Sequence, residues 1–478
     1  MNKLLYQYQT GKKPFELFFS EVERNEFENL FDDINFISHS SRLRKYHLNV
    51  TDKNKNDIRT NCLDFDSEGK FLLSGNNDGS ILLFALDDKL KNGQLFNKKI
   101  QYCKRPHSDD RKQMEKLIPQ KRNREDTIRQ VHSFETNRNK FRMYRQSSSL
   151  SSEDEINNSK MDDLEAAQGE SHHGGITTMK WYGEDNGMFF TGSNDKIIKI
   201  WDTNQFKSVQ DLEFEYMINQ IDNVENNFMN EIIAVASDDY YPRLIDLKNM
   251  NLGITIFGKK TVTSHLKENS ELKSEILTCK INPQRGNVIC SGDADGSIKL
   301  WDLRMTNRLL IELRRFSKAS NGYGNGTRAH LQSCTDLCWS NTGDELCSVG
   351  TDGKCYIWRP FLSDKELISN PQTLGDMDLS RTKFKKRTSQ RLIWFNDYII
   401  CNTDNSEVHI YETNTGKLWN KIEQNTHEES NLLVSPGKRH HIPGTSTQFK
   451  GMAMQKDLSN GRGLRVLLGS NGDILEYT

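Results

Sequence analysis

The residues best suited to recognition chemistry in this sequence are Trp301, Asp302 and Arg304, which form a Trp-Asp-x-Arg motif at the end of an apolar run. A tryptophan within such a run is expected to be internal. An arginine three positions later can present a planar group with five donors to the carboxylates or carbonyls of a partner. The motif therefore indicates a contact with another macromolecule, and the plainer interpretation is a surface arginine paired within its own repeat.

Motifs for catalysis are not found. The sequence has no phosphate-binding loop, dinucleotide fingerprint, zinc-protease helix, nucleophile elbow or kinase signature. The glycine-rich stretch at 321–327 lacks a Lys-Ser/Thr ending and is expected to be a loop. His172, His173 and the pair His440 and His441 fit structural or exposed roles better than metal binding. We therefore expect no enzyme activity, no cofactor and no metal site.

Composition narrows the class of partner. The 478 residues include 65 Lys and Arg and 66 Asp and Glu, for a formal net charge of -1, so no overall field holds the protein on nucleic acid or an anionic membrane. Direct DNA contact is therefore not expected from charge. We find no apolar run of membrane-spanning length and no secretory signal, which favours a soluble intracellular protein. Nine cysteines without a CxxC pair indicate buried, reduced thiols.

An internal repeat must position the motif residues. An Asp or Asn in a turn recurs six positions before a large apolar residue, and a strand-like run lies on each side of the turn. A third strand-like run precedes most of these units, so each unit is expected to form a small antiparallel sheet. The seven pairs are Asp78 and Phe84, Asp195 and Trp201, Asp239 and Ile245, Asp295 and Trp301, Asp352 and Trp358, Asn405 and Tyr411, and Asn471 and Tyr477.

These units predict an all-β, seven-bladed propeller over residues 43–478. The last unit ends at the chain terminus, so its outermost strand must come from elsewhere, and the alternating segment 44–50 has a suitable pattern. The 117 positions between Phe84 and Trp201 exceed the length of a blade, and residues 105–170 show charge and serine runs in place of strand alternation. We expect 105–170 to be a disordered insertion between blades one and two.

Two regions lie outside the blades. Residues 1–42 place apolar side chains at roughly helical spacing and are expected to form a helical arm, either packed on the rim of the propeller or docking a partner. Residues 104–145 hold 13 basic and 6 acidic side chains, with a cluster at Lys121, Arg122 and Arg124. That cluster, with a second one at 385–387, is a candidate signal for nuclear import.

The repeat resembles the WD-repeat family, because three units end in Trp-Asp or Ile-Asp and two are preceded by histidine. This resemblance implies a structural network in which the turn aspartate, a strand serine or threonine, the upstream histidine and the strand tryptophan hydrogen-bond to one another. Blades two and five are the complete cases, and blade four supplies Asp295 and Trp301. The residues expected in the complete networks are His173, Asp195, Thr191 or Ser193, and Trp201 in blade two, and His330, Ser348, Asp352 and Trp358 in blade five.

A longer similarity covers blades two to five. The stretches 176–204, 275–304 and 346–358 resemble the Cockayne syndrome A family of DNA repair proteins, as does the N-terminal Tyr-Gln-Thr-Gly before Pro14. The resemblance implies a nuclear substrate receptor of a cullin-RING ubiquitin ligase in transcription-coupled nucleotide excision repair. The implied partners are a damaged-DNA-binding adaptor with a cullin-4-type ligase, a Swi2/Snf2-type repair ATPase and stalled RNA polymerase II.

The resemblance also assigns the adaptor contact. It implies that Arg304, with Asp302 beside it, meets the adaptor on the narrow rim, and that the N-terminal arm with Leu4 and Leu5 docks there as well. The expected mechanism is a scaffold, with catalysis supplied by other subunits. Two alternatives remain: a generic nuclear WD-repeat scaffold in chromatin or RNA processing that reads a peptide at its channel, and a propeller hydrolase, for which the convergent carboxylates or metal site are not seen.

Overall fold

The computed structural model describes residues 15–32, 43–47, 59–85, 101–103, 129–130, 166–167, 171–183, 186–223, 232–248, 254–257, 274–305, 309–315, 327–362, 368, 370–375, 390–403, 407–423, 449–455, 464–469 and 473–477. Leu4, Leu5, Asn405, Asn471, the basic clusters and nearly all of the predicted insertion at 105–170 lie outside these residues.

One helix and thirty-one strands are described. The first part of the chain holds helix α1 (Phe15–Asp32), β1 (Leu43–His47), β2 (Thr60–Phe65), β3 (Phe71–Asn76), β4 (Ile81–Ala85), β5 (Gln101–Cys103), β6 (Arg129–Gln130), β7 (Ala166–Ala167), β8 (Ile176–Trp181), β9 (Met188–Ser193), β10 (Ile197–Asp202) and β11 (Lys207–Glu213). The middle part holds β12 (Ile218–Asn223), β13 (Ile232–Ser237), β14 (Arg243–Asp246), β15 (Ile254–Ile256), β16 (Ile276–Ile281), β17 (Val288–Asp293), β18 (Ile298–Asp302), β19 (Leu309–Arg315), β20 (Thr327–Arg328), β21 (Cys334–Trp339), β22 (Leu346–Gly350), β23 (Cys355–Trp358) and β24 (Gln372–Thr373). The last part holds β25 (Leu392–Phe395), β26 (Tyr398–Asn402), β27 (Glu407–Glu412), β28 (Leu418–Glu423), β29 (Gly451–Gln455), β30 (Arg465–Gly469) and β31 (Asp473–Tyr477).

These strands form seven sheets, each built on four antiparallel strands, which are the blades of a propeller and confirm the predicted fold class. Short strands β6, β7 and β20 extend the outer edges of blades two, one and four. Blade seven takes its outer strand from the start of the chain, where β1 pairs with β31 in a register that sets Leu43 opposite Tyr477. The closing strand is thus confirmed, one residue earlier than expected.

Strand alternation gives the propeller two distinct faces. Because neighbouring strands are antiparallel, the loops after the first and third strands of every blade lie on one face, defined here as the lower face. The loops after the second and fourth strands lie on the upper face. Arg304 follows the third strand of blade four and is therefore on the lower face.

The core consists of seven apolar clusters, one between each pair of neighbouring blades. Successive side chains of a strand point to opposite sides of its sheet, so each blade contributes to two clusters. Trp201 packs between blades one and two, Trp301 between three and four, and Trp358 between four and five. The large apolar residue that ends each repeat therefore joins one blade to the next.

Polar side chains join the innermost strands around the central channel. The N–H groups of Trp181, Ile221 and Ile281 each donate to a side chain of the preceding blade, on Asp64 at 3.0 Å, Thr178 at 3.1 Å and Asp222 at 2.9 Å. An innermost strand has one edge without a strand neighbour, and these side chains satisfy its donors. Arg391 of blade six reaches the carbonyl of Thr177 in blade two, at 3.0 Å from its Nη2 atom, and thereby spans the channel.

The arm contains one described helix, and its second half packs on the propeller. Phe27, Leu30 and Phe31 are buried in the cluster between blades six and seven, with the Phe27 ring 4.7 Å from that of Tyr398. Arg24 donates to Asp397 at 3.2 Å in the loop after the first strand of blade six, so the helix reaches the lower face. This half of the arm therefore packs on the rim of the propeller, which is one of the two roles expected for it. Within the described residues, no helix has the length and apolarity to cross a bilayer.

Candidate interaction site

Blade four holds its Trp-Asp-x-Arg motif with the tryptophan inside and the arginine outside. Trp301 on β18 is buried, and its indole N–H donates to Ser291 Oγ on β17 at 3.1 Å. The strand ends at Asp302, and the Leu303 N–H donates at 2.8 Å to the carbonyl of Asn287 in the neighbouring lower loop. These bonds fix the backbone from which Arg304 projects.

Asp302 orients the Arg304 guanidinium. Its Oδ1 atom accepts from the Arg304 backbone N–H at 2.9 Å and from Nε at 3.0 Å, and its Oδ2 atom accepts from Nη2 at 2.7 Å. The side-chain and backbone hydrogen bonds from Arg304 lower the pKa of Asp302 to about 2, so the pair stays ionised at neutral pH. The Arg304 side chain is nevertheless 73% exposed. The guanidinium is held by one edge and offers the rest to solvent.

Exposed apolar side chains accompany this arginine on the lower face. Met305 directly follows it and is 54% exposed, and Leu310 at the start of β19 is exposed on the same blade. Leu362 is exposed in the corresponding region of the neighbouring blade five, and Leu418 is exposed in blade six, one blade further away. An arginine beside exposed apolar side chains is typical of protein interfaces.

Blade five uses its arginine differently. Arg359 directly follows Trp358, and its Nε atom donates at 2.7 Å to Glu345 in the lower loop of the same blade. Nearby, Arg285 stacks over the Phe361 ring, with its guanidinium carbon 3.8 Å from the ring centre, and pairs with Asp344 at 3.0 Å. These arginines hold the lower loops together.

Blade five contains the four-residue network in full. His330 Nδ1 lies 3.0 Å from Asp352 Oδ1, His330 Nε2 lies 2.9 Å from Ser348 Oγ, and the Trp358 indole N–H donates to Ser348 Oγ at 2.9 Å. If Nδ1 carries the proton, Asp352 accepts it and Ser348 donates to Nε2, so every member is satisfied. The network ties the upper turn to the strand core.

Blade two has the same network, but its histidine is His172 and not the expected His173. His172 Nδ1 lies 2.9 Å from Asp195, and its Nε2 lies 2.7 Å from Thr191 Oγ1, which accepts from the Trp201 indole at 2.8 Å. His172 precedes its blade by four residues, as His330 does, and adjacent side chains cannot both face inward. His173 contributes its backbone N–H to Asp195 at 2.9 Å. Of the two strand hydroxyls left open by the sequence, Thr191 is the network member.

The pKa values of the network aspartates and of Asp293, a buried aspartate two residues before the turn aspartate of blade four, are shifted in opposite directions. Burial opposes ionisation of Asp195, but the hydrogen bond and charge of His172 and two backbone N–H groups outweigh it and lower its pKa to about 2. The pKa of Asp352 is lowered in the same way. Burial instead raises the pKa of Asp293 on β17 to about 6, although Lys299 contacts it and opposes that change.

The remaining turn aspartates find other partners. In blade three Asp239 pairs with the buried Arg243 at 2.5 Å, and Phe214 stands four residues before the blade, where blades two and five have histidine. In blade four Asp295 pairs with Arg328 at 3.3 Å rather than joining Trp301. Sequence reasoning missed both arginines. The signal for Arg243 was a charged residue within an otherwise apolar strand.

No group of three or more histidine, cysteine, aspartate or glutamate side chains in the described ranges is arranged to hold a metal ion. The eight cysteines that the structure describes are free thiols, seven of them buried. A WD-repeat propeller of this kind generally serves as a scaffold, with its loops as the contact surfaces.

Comparison with known proteins agrees with this architecture. The family model "WD domain, G-beta repeat" matches residues 48–84, 167–202, 260–302 and 325–359. Radiation-sensitive protein 28 of Saccharomyces cerevisiae is 41% identical over 508 aligned residues, which cover 98% of this chain and 97% of that protein. WD repeat-containing protein ATCSA-1 of Arabidopsis thaliana is 26% identical over 28% of this chain and 27% of its own length.

A solved structure supports the fold alone. The β-propeller domain of Cps50 (Swd1) from Myceliophteria thermophila superposes with a TM-score of 0.51 at 14% identity, over 91% of this chain and 99% of that domain. The repeat, the closed propeller and the near full-length identity lead to one conclusion: the chain belongs to the family of Radiation-sensitive protein 28, the repair-related WD-repeat proteins of the Cockayne syndrome A type.

Proposed function

We propose that the chain is the substrate receptor of a nuclear cullin-RING ubiquitin ligase that acts in transcription-coupled nucleotide excision repair. In this role it binds a damaged-DNA-binding adaptor and a cullin-4-type ligase through the lower face. It acts as a scaffold and not as an enzyme, and other subunits transfer ubiquitin to a protein held nearby. Its repair partners are a Swi2/Snf2-type ATPase and RNA polymerase II stalled at a lesion.

The observation that carries the proposal is the state of Arg304. A surface arginine without a function usually varies among rotamers, because fixing a long side chain costs conformational entropy. Here Asp302 fixes the guanidinium through two hydrogen bonds and the Arg304 backbone N–H through a third, while the side chain stays largely exposed. A preorganised arginine loses little entropy when a partner binds it, and the apolar Met305 and Leu362 provide area to bury.

The position of the helix is further support. Helix α1 packs on blades six and seven, and its Arg24 contacts Asp397 on the lower face, the face that also carries Arg304. We propose that the residues before this helix, with Leu4 and Leu5, add to the adaptor contact, and that the basic clusters near Lys121 and Lys385 direct nuclear import. The alternative of a generic nuclear WD-repeat scaffold makes Arg304 dispensable.

Affinity capture tests the proposal in cells. Tagged wild type, Arg304→Ala and Arg359→Ala are purified from nuclear extract before and after ultraviolet damage, and bound proteins are identified by mass spectrometry. We expect the adaptor and a cullin with wild type and Arg359→Ala, and their loss with Arg304→Ala. Damage-dependent recovery of RNA polymerase II supports the repair role. A different stable complex, unchanged by Arg304→Ala, contradicts the ligase role and favours the generic scaffold.

A further inference from the structure

The upper turn of blade three differs from the equivalent turns of the other blades. Blades one, two, four and five place small or polar residues there, which suffice to reverse the chain: Asn77–Ser80, Asn194–Lys196, Ala294–Ser297 and Thr351–Lys354. Blade three has Asp238, Asp239, Tyr240, Tyr241 and Pro242. Tyr240 is 43% exposed. A turn needs no exposed phenol ring, so the fold does not account for this side chain.

A second tyrosine lies beside this turn. The Asp238 N–H donates at 3.0 Å to the carbonyl of Met217, which brings the segment that leads into blade three against the turn. Tyr216 on that segment is 38% exposed. Tyr216 and Tyr240 therefore share one part of the upper face, on the opposite side of the propeller from Arg304.

Carboxylates flank the two rings. Glu215 precedes Tyr216, and Asp238 begins the turn, with its Oδ1 atom accepting from Asn219 at 2.9 Å. Glu275 lies on the other side, because the neighbouring Ile276 N–H donates at 3.1 Å to the carbonyl of Asp239. We define Glu215, Tyr216, Asp238, Tyr240 and Glu275 as the blade-three tyrosine surface.

Three described cationic side chains of the neighbouring turns and strands lie inside blade three or at the margins of this surface. Arg243 is buried within the blade against Asp239. Lys196 lies in the turn of blade two, and Arg328, which is exposed, pairs with Asp295 of blade four. The surface between those two margins combines aromatic rings with negative charge.

We infer that the blade-three tyrosine surface binds a peptide segment of a partner protein through arginine or lysine side chains. Aromatic faces attract such cations, each contact contributing roughly 0.5–1 kcal/mol at an exposed site, and the flanking carboxylates add charge complementarity. The same carboxylates repel the phosphates of nucleic acid. The inference does not depend on the adaptor contact, since it concerns the other face.

Binding of a defined probe to the full-length protein tests this. The probe is a fluorescein-labelled peptide of repeated Gly-Ser-Arg units, followed by fluorescence anisotropy at low and high salt, with a matched peptide in which glutamine replaces arginine. We expect the arginine peptide to bind more tightly, and less so as salt rises. Tyr216→Ala with Tyr240→Ala is expected to weaken binding about tenfold, as loss of two ring contacts implies.

Matched variants distinguish the loss of ring and carboxylate contacts from a general loss of folding. Tyr216→Phe with Tyr240→Phe keeps the rings and should keep the affinity, and Glu215→Gln with Glu275→Gln should weaken binding and reduce its salt dependence. Leu418→Ala, on the opposite face, should have no effect, and unchanged unfolding midpoints establish that each variant is folded. Equal binding of the two peptides, or full affinity in the double alanine variant, overturns the inference. If the chain self-associates, does not bind the peptide, and loses self-association in the double alanine variant, the surface binds a second copy of the chain. That result also overturns the inference.

Discussion

Blades four and five have the same strand plan but use the residues around their tryptophan in opposite ways. In blade five Trp358 belongs to a closed network with Ser348, His330 and Asp352, and the following Arg359 binds its own lower loop. In blade four the Trp301 indole donates to Ser291, whose hydroxyl contacts Asp293, and no histidine joins them among the described contacts. The following Arg304 is exposed and is held by the largely buried Asp302.

The difference shows that residues following the tryptophan of a repeat can hold the fold together in one blade and stay exposed in another. In blade five the polar side chains are satisfied by one another, so they join the upper turn to the core. In blade four the tryptophan packs between two blades while the arginine stays exposed, as the proposed adaptor contact requires. A motif that repeats through a chain can thus have different roles in successive blades, and the number of internal hydrogen bonds distinguishes them.

Loss of His330 from the blade-five network is expected to have the largest effect on stability. We expect His330→Ala to destabilise the protein by about 3 kcal/mol, because buried Asp352 and Ser348 lose their partner and must stay dehydrated. The matched control is His409→Ala in blade six, where the histidine is partly exposed and pairs with Glu407 at 3.0 Å. That variant should lose less than about 1 kcal/mol in the same urea titration. Equal losses contradict the network's role.

Opposite pH dependence should distinguish the two kinds of aspartate. The pKa of Asp195, which has the blade-five type of network, is lowered to about 2 from 3.8, so its stabilising effect is present above pH 4 and is lost as pH falls toward 2. The pKa of Asp293 in blade four is raised to about 6, so its ionisation weakens the fold as pH rises from 4 to 6. The two directions predict opposite trends on acidification.

These opposite trends are measured by comparing the unfolding midpoints of Asp195→Asn and Asp293→Asn with that of wild type from pH 7 to pH 3. The advantage of wild type over Asp195→Asn should be constant above pH 4 and shrink below it. Relative to Asp293→Asn, wild type should gain about 3 kcal/mol between pH 7 and pH 4, since two pKa units correspond to that energy. A flat profile for Asp293→Asn would mean that Lys299 holds the carboxylate fully ionised.

The serines that accept from the two tryptophan indoles provide a second comparison of blades four and five, with a smaller expected effect on stability. Ser348→Ala leaves the Trp358 indole and a histidine nitrogen unpaired, whereas Ser291→Ala leaves the Trp301 indole unpaired and removes only a long contact of 3.5 Å with Asp293. We expect losses of about 2–3 kcal/mol and about 1 kcal/mol, respectively. Chemical denaturation of both variants, with Ser20→Ala in the exposed part of the helix as a neutral control, tests the order. The reverse order contradicts the assignment.

The exposed arginines should have the smallest effect on stability. Arg304→Ala and Arg359→Ala are each expected to leave the thermal unfolding midpoint within experimental error of wild type, because an exposed ion pair contributes little to folding. A marked loss for Arg304→Ala would show that the Asp302 pair serves the fold and not a partner.

Features that depend on local periodicity could be predicted from the sequence. The six-residue spacing from the turn Asp or Asn to a large apolar residue identified every blade, since a tight turn and the next strand fix that distance. The closing strand at Leu43–His47 followed from the missing edge of blade seven, although it begins one residue before and ends three residues before the predicted segment 44–50. The buried position of Trp301 followed in the same way.

Features that depend on three-dimensional neighbours could not be predicted from the sequence. His172 and His173 are adjacent, so composition does not say which one faces inward, and only the four-residue offset shared with His330 resolves it. The pairing of Asp239 with Arg243 requires knowing that Phe214 occupies the histidine position of blade three. The exposed Met305 and Leu362 lie on two neighbouring blades, which no local pattern in the sequence brings together.

The central claim is that the Asp302 and Arg304 pair is a contact site on the lower face. Isothermal titration of the purified full-length protein with the purified damaged-DNA-binding adaptor tests it most directly, using wild type, Arg304→Ala, Arg304→Lys and Arg359→Ala. We expect Arg304→Ala to weaken binding at least tenfold, Arg304→Lys to restore only part of it because the planar fork is lost, and Arg359→Ala to match wild type. Equal affinity for wild type and Arg304→Ala would contradict the account.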